Sequence, residues 1–158
     1  NAADEIAWVQ KVISEIRSVR SDMNVPAGAK VRLLVKDSSD ETKARLKMYE
    51  SIFLQMARLK SIEITDDILS GSIQCVVNES TLAMPIAGII DLDKERDRLK
   101  KQISKLEDDI RKTDEKLNNQ QFVDRAPPEI LEEFRTRKEE ALGVIQKLST
   151  ALSQLEAA

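Results

Sequence analysis

Apolar residues recur at three- and four-residue steps almost from the first position: Ile6, Val9, Ile13, Ile16 and Val19. That spacing predicts an amphipathic helix, with Asp4 as its cap and Pro26 ending the run. The chain enters this helix at once, as expected if more protein precedes it. Lys30–Val31–Arg32–Leu33–Leu34–Val35–Lys36 then reads as a strand with a buried middle, closed by the polar Asp37–Ser38–Ser39–Asp40. Helical spacing returns from about Glu41 to Leu59 through Leu46, Tyr49, Ile52, Phe53 and Met56. Three short candidate strands follow, at Ser61–Thr65, Ser72–Asn78 and Thr81–Ile86, with turns at Gly71 and at Asn78–Glu79–Ser80. The pattern predicts a small antiparallel sheet with one packed helix, an α+β unit that ends near Gly88.

Beyond Gly88 the period changes to seven. With Ile89 at heptad position a, Leu92, Leu99 and Leu106 fall at d, and Ile103, Ile110 and Leu117 at a; Arg96 and Thr113 depart from the pattern. Further on, Leu131, Ile145 and Leu152 take a, and Phe134, Ala141, Leu148 and Leu155 take d, with Lys138 as the exception. Two such seams predict a long antiparallel coiled-coil helical hairpin. Asn118 to Ala126 would be its connecting loop, and Pro127–Pro128 suits the start of the second helix, where a missing N–H wastes no hydrogen bond. At 1.5 Å per residue each helix would be about 43 Å long.

Composition supports exposed helices over a large core. Charged residues make up 34% of the 158 residues and aromatic ones 3%. The net charge of −3 excludes a general polycation, so any nucleic-acid site must come from charge sorted onto one face. The chain has no histidine, which removes the commonest general base, the commonest metal ligand and every Ser-His or Cys-His nucleophile. Its four glycines form no phosphate-cradling array. A self-contained enzyme is not expected. Cys75 is the single cysteine, so a disulfide framework is excluded and a cytoplasmic setting is the default expectation. No apolar run approaches the ~18 residues of a membrane span.

Residues 91–158 carry fourteen basic and sixteen acidic side chains, yet on the first arm helix the basic ones are ordered. Lys94, Arg98, Lys101, Lys105, Lys112 and Lys116 align mainly at heptad positions c and f, away from the apolar seam, with Asp108 filling the gap. Arg111 borders this stripe and Arg125 carries positive charge to the tip. Repeated cations on a rigid support suit a phosphate backbone. The same pattern also arises when coiled-coil outer faces are charged only for solubility.

Lys138 and Arg96, at seam positions, are expected to lie along apolar surface with their heads reaching solvent, Lys138 towards Asp109. Phe122 and Val123 could stack on a base or plug the end of the seam. Trp8 and Cys75 are expected in the core or half-buried. Asp66–Asp67 and Asp108–Asp109 are adjacent carboxylates that point different ways, a poor arrangement for a metal.

Three segments carry a family resemblance. The run Leu82–Ala83–Met84–Pro85–Ile86–Ala87–Gly88–Ile89–Ile90–Asp91–Leu92, followed by Glu95, Arg98–Leu99 and Lys101, resembles the arm entry of bacterial valyl-tRNA synthetases. Phe122–Val123 with Ala126–Pro127 is similar to the family's hairpin tip, and Ile16–Arg17–Ser18–Val19–Arg20 with Asn24–Val25–Pro26 to the end of its anticodon-binding region. The resemblance implies residues 1–27 from that helical region, a linker domain at 28–88 and a tRNA-binding arm at 89–158. It implies a partner, valine tRNA, held at its outer corner where the D and T loops meet. It also implies a parent enzyme that joins valine to that tRNA with ATP and magnesium. Neither the family's His-x-Gly-His-type motif nor its Lys-Met-Ser-Lys-Ser-type loop occurs in this chain. The chain is thus expected to be catalytically silent and without a cofactor of its own. It is also expected to be monomeric and joined to the rest of a synthetase on its amino-terminal side. A protein–protein module built on the same hairpin is the alternative.

Overall fold

The computed structural model describes residues 1–158. Helix α1 spans Ala2–Asp22. Asn1 is its cap, accepting from the Asp4 backbone N–H at 3.0 Å, and the Asp4 side chain reciprocates from the third helical position. The residue expected as the cap is therefore its partner. Trp8, Val9, Val12, Ile16 and Val19 are buried, while Ile6 remains 54% exposed.

Four strands follow: β1 (Val31–Lys36), β2 (Leu59–Ile64), β3 (Ser72–Val77) and β4 (Ser80–Pro85). They lie in the order β2-β1-β4-β3. The sheet is mixed: β1 pairs with β2 in parallel, and β4 pairs antiparallel with both β1 and β3. The antiparallel sheet expected from the sequence is corrected here. Between β1 and β2 the chain crosses over through two helices, α2 (Asp40–Met48) and α3 (Glu50–Met56), and such a crossover returns a strand in the same direction. Only β3 and β4 are joined by a tight hairpin, at Asn78–Glu79, where Asn78 takes φ +54°.

The single helix expected over 41–59 is broken at Tyr49, which ends α2 and begins α3. Its phenol donates to Glu5 Oε2 on α1 at 2.9 Å. Leu59 lies in β2, after Arg58 turns the chain with φ +53°. Helix α1 lies against β3 and α3, and α3 against β2. Between them Phe53 is fully buried and meets Trp8 edge to face at 5.7 Å. The central strands β1 and β4 are buried through their middles, whereas β2 is half-open along its length.

Two polar details hold the loops of this unit. Glu79, in the β3–β4 turn, accepts from the Thr42 hydroxyl at 2.6 Å and from the Ser39 backbone N–H at 3.2 Å, tying the hairpin to the start of α2. Gly71 has φ +78°, and a β-carbon there would come within 2.5 Å of the Ala87 side chain, so no larger residue fits.

The chain divides into two compact units, Asn1–Leu92 with Gln154–Ala158, and Asp93–Ser153. The second unit holds nearly all of two long helices, α4 (Leu92–Leu117) and α6 (Pro128–Ala157), and the short α5 (Gln120–Arg125) between them. The stretch expected as loop is largely this short helix, capped by Asn119, whose side chain accepts from the Gln121 and Phe122 N–H groups.

Candidate nucleic-acid interface

Helix α4 places its apolar and basic residues on different faces because their spacing follows the helical repeat. Ile103, Leu106, Ile110, Thr113 and Leu117 are half-buried, as are Leu131, Phe134, Lys138, Ala141, Ile145 and Leu148 on α6. These are the expected heptad positions. Nearly everything else between residues 100 and 150 is exposed, apart from Asp114, Phe122, Val123 and Ala126.

Three contacts join the helices near the tip. Lys138 Nζ lies 2.6 Å from Asp114 Oδ1. Asp114, and not Asp109, is thus its partner, because α6 meets α4 closer to the tip than the carboxylate spacing suggested. Lys116 Nζ sits 5.3 Å from the centre of the Phe134 ring, and the Phe122 and Phe134 rings are 5.7 Å apart. Phe122 is therefore engaged inside the tip and half-buried.

The eight basic residues singled out from the sequence are not equivalent. Lys94, Lys101, Lys105 and Lys112 are exposed along α4, and the last three form no ion pair or hydrogen bond. Lys101 and Lys105 are one turn apart, about 6 Å along the axis, and Lys112 stands about 10 Å further on. Arg98, by contrast, is half-buried and turned onto Glu95. Its Nε lies 3.0 Å from both Glu95 carboxylate oxygens, its Nη2 also donates to Oε1, and its Nη1 donates to Gln102 at 3.0 Å. The hydrogen bond to Glu95 raises the Arg98 pKa. With Glu95 only 7% exposed, this pair is closed on itself.

Arg111 is exposed and 3.4 Å from Asp108, a pair weak enough to exchange with a phosphate. Lys116 is engaged with Phe134. Arg125 ends α5, exposed and without a carboxylate partner. The structure thus keeps Lys94, Lys101, Lys105, Lys112 and Arg125 outward and draws Arg98 and Lys116 into local contacts. The three-residue step from Glu95 to Arg98 was the sequence signal for the first of these. The second depended on the contact of Lys116 with Phe134 on α6.

No group of three or more Asp, Glu, Cys or His side chains is placed to hold a metal, and no helix is long and apolar enough to cross a membrane. Cys75 is a free, half-buried thiol, and burial, with a further contribution from the charge of Glu15, pushes its pKa up to about 11.

Comparison with known proteins bears on this same segment. Residues 91–156 match the family described as the valyl tRNA synthetase tRNA binding arm. Over 154 residues, 98% of its length, the chain is 41% identical to the valine–tRNA ligase of Bartonella quintana. It is 40% identical over 154 residues to that of Caulobacter vibrioides and 38% identical over 157 residues to that of Bradyrhizobium diazoefficiens. The chain spans 17% of the length of the first of these relatives, 17% of the second and 16% of the third.

Proposed function

We propose, from the match of residues 91–156 to the valyl tRNA synthetase tRNA binding arm family, that α4 and α6 form an antiparallel coiled-coil hairpin that holds valine tRNA by its phosphate backbone. The observation that carries this reading is the row of exposed lysines on α4, with Lys101, Lys105 and Lys112 unpaired, on the side away from the half-buried seam. A rigid helix with cations at one- and two-turn intervals meets successive phosphates without reading bases. Structured RNA offers shape and backbone more readily than base edges, so the arm adds affinity and orientation, with little sequence discrimination. The outer corner of the tRNA is the contact the family resemblance suggests.

In this reading the chain is one part of a longer valine–tRNA ligase, joined to the remainder on its amino-terminal side. Activation of valine with ATP and magnesium belongs to that remainder, and the arm contributes no catalytic step. The chain by itself is a cytoplasmic monomer. A protein-docking role is less well supported, since the exposed apolar residues of α6, Ile130, Leu142 and Val144, do not fall on one continuous stripe.

The test is titration of valine tRNA by fluorescence anisotropy at several salt concentrations. Reversal of Lys101, Lys105 and Lys112 to Glu should weaken binding at least tenfold, about 1.4 kcal/mol. It should also reduce the slope of log K against log salt by roughly 2–3. Unchanged affinity and slope in a variant of native helix content would remove this face from the interface.

A further inference from the structure

The α+β unit holds a second concentration of unanswered positive charge. An open cleft of about 440 Å³ is lined by Arg17, Arg20, Gln55 and Arg58 together with Ala27, Met56 and Ala57. A second cleft, of about 580 Å³, shares Gln55 and Arg58 with the first and adds Lys30 and Lys60. No Asp or Glu lines either one. In a chain with more acidic than basic residues, such sorting is not explained by composition.

Two of the arginines are fixed in place by backbone. Arg20, only 7% exposed, donates to the carbonyl oxygens of Pro26 at 3.0 Å, Ala29 at 2.7 Å and Arg58 at 3.3 Å. Arg58 in turn donates to the Ala27 carbonyl. Carbonyl acceptors satisfy guanidinium N–H groups and leave their charge uncompensated. Burial, with a further contribution from the charge of Arg58, lowers the Arg20 pKa. Arg17, one turn earlier on α1, and Lys30 are exposed and form no ion pair or hydrogen bond. An oxyanion entering the cleft would relieve the repulsion and find fork-shaped donors already oriented.

We propose that these joined clefts are a second RNA-backbone contact, on the α+β unit, taking phosphodiester groups at Arg17, Arg58 and Lys30. The proposal rests on the reading of the chain as an RNA-binding one. A run of cations shared between two clefts suits a polyanion better than a single small anion. With no aromatic side chain in either lining, the contact is independent of base identity.

The double substitution Arg17→Gln, Lys30→Gln tests it in the full 158-residue chain. Both side chains lack partners, so the thermal melt should stay unchanged. Binding of valine tRNA should weaken several-fold, with a loss of roughly 1–2 in the log–log salt slope. The effect should add to that of the Lys101, Lys105 and Lys112 reversals. A slope altered by the arm reversals but not by R17Q/K30Q overturns the cleft contact and leaves the arm reading intact. The converse result upholds the cleft and overturns the arm. In parallel, inorganic phosphate is titrated while the arginine side-chain N–H signals are followed by NMR. Phosphate shifts at Arg17 and Arg58, with no change in the tRNA salt slope of R17Q/K30Q, overturn the RNA assignment in favour of a small-anion site.

Discussion

The two units hold themselves together by different means. In the α+β unit Phe53, Ile16, Met23, Leu33 and Ile73 are shielded from water completely or nearly so. Between residues 100 and 150, by contrast, no side chain of the arm is fully buried, and its seam residues are all half-open. Two long helices that share a single contact line have no third layer to close over it, so each seam residue recovers only part of its transfer free energy. The difference teaches where each unit can carry function. The α+β unit spends its surface on a core and holds exact loop positions. The arm leaves nearly every side chain in water, and so offers a long charged face at little cost in packing.

That contrast can be broken by substitution. Phe53→Ala should cost about 3–5 kcal/mol of stability, because it empties a closed site against Trp8. Denaturant titration followed by Trp8 fluorescence measures this directly. Ile110→Ala in the seam should cost less, about 1–2 kcal/mol, since the removed methyl groups are already half in contact with water. Its loss is read by helix content on heating. Equal costs for the two changes would mean that the arm has a closed core after all.

A smaller effect sharpens the comparison through pH. Hydrogen bonds from the Thr42 hydroxyl, from the backbone N–H of Glu79 itself and, more weakly, from the backbone N–H of Ser39 hold the Glu79 carboxyl at about 2, below its ordinary 4.5. A pKa depressed by folding contributes stability that is complete above pH 4.5 and is lost as pH falls towards 2. The group is solvent-exposed, so its contribution is under about 1 kcal/mol. Glu79→Gln should flatten this part of the acid limb for the α+β unit and leave the helix content of the arm unchanged. An identical acid limb in the variant would show that the link between the hairpin and α2 adds no stability.

Much of the arm was legible in its sequence. Its seam positions repeat every seven residues, and a helix converts that repeat into one face without help from the rest of the chain. The strands were legible too, within a residue or two. Their pairing was not, because alternation of apolar residues says which face is inward and nothing about strand direction. The crossover through α2 and α3 made β1 and β2 parallel. The break at Tyr49 and the capping role of Asn1 were likewise settled by contacts and end geometry that periodicity does not carry.

The candidate interface divides in the same way. Lys101, Lys105 and Lys112 stand outward because helical spacing alone separates them from the seam. Arg98 had the same spacing and was lost to Glu95, since a neighbouring carboxylate three residues away competes with any ligand. Lys116 was drawn onto Phe134, and Lys138 onto Asp114, by the meeting of two helices. The cleft of Arg17, Arg20 and Arg58 was invisible along the chain, for its members are 38 or more residues apart in part and adjacent only once Pro26, Ala29 and Arg58 present their carbonyl groups to Arg20. The sequence by itself therefore determined what depends on local period: the helices, the seam and the basic stripe. Only the tertiary structure decided strand direction and the engagement of Lys116 and Lys138, because both follow from distances between residues that the chain order leaves open.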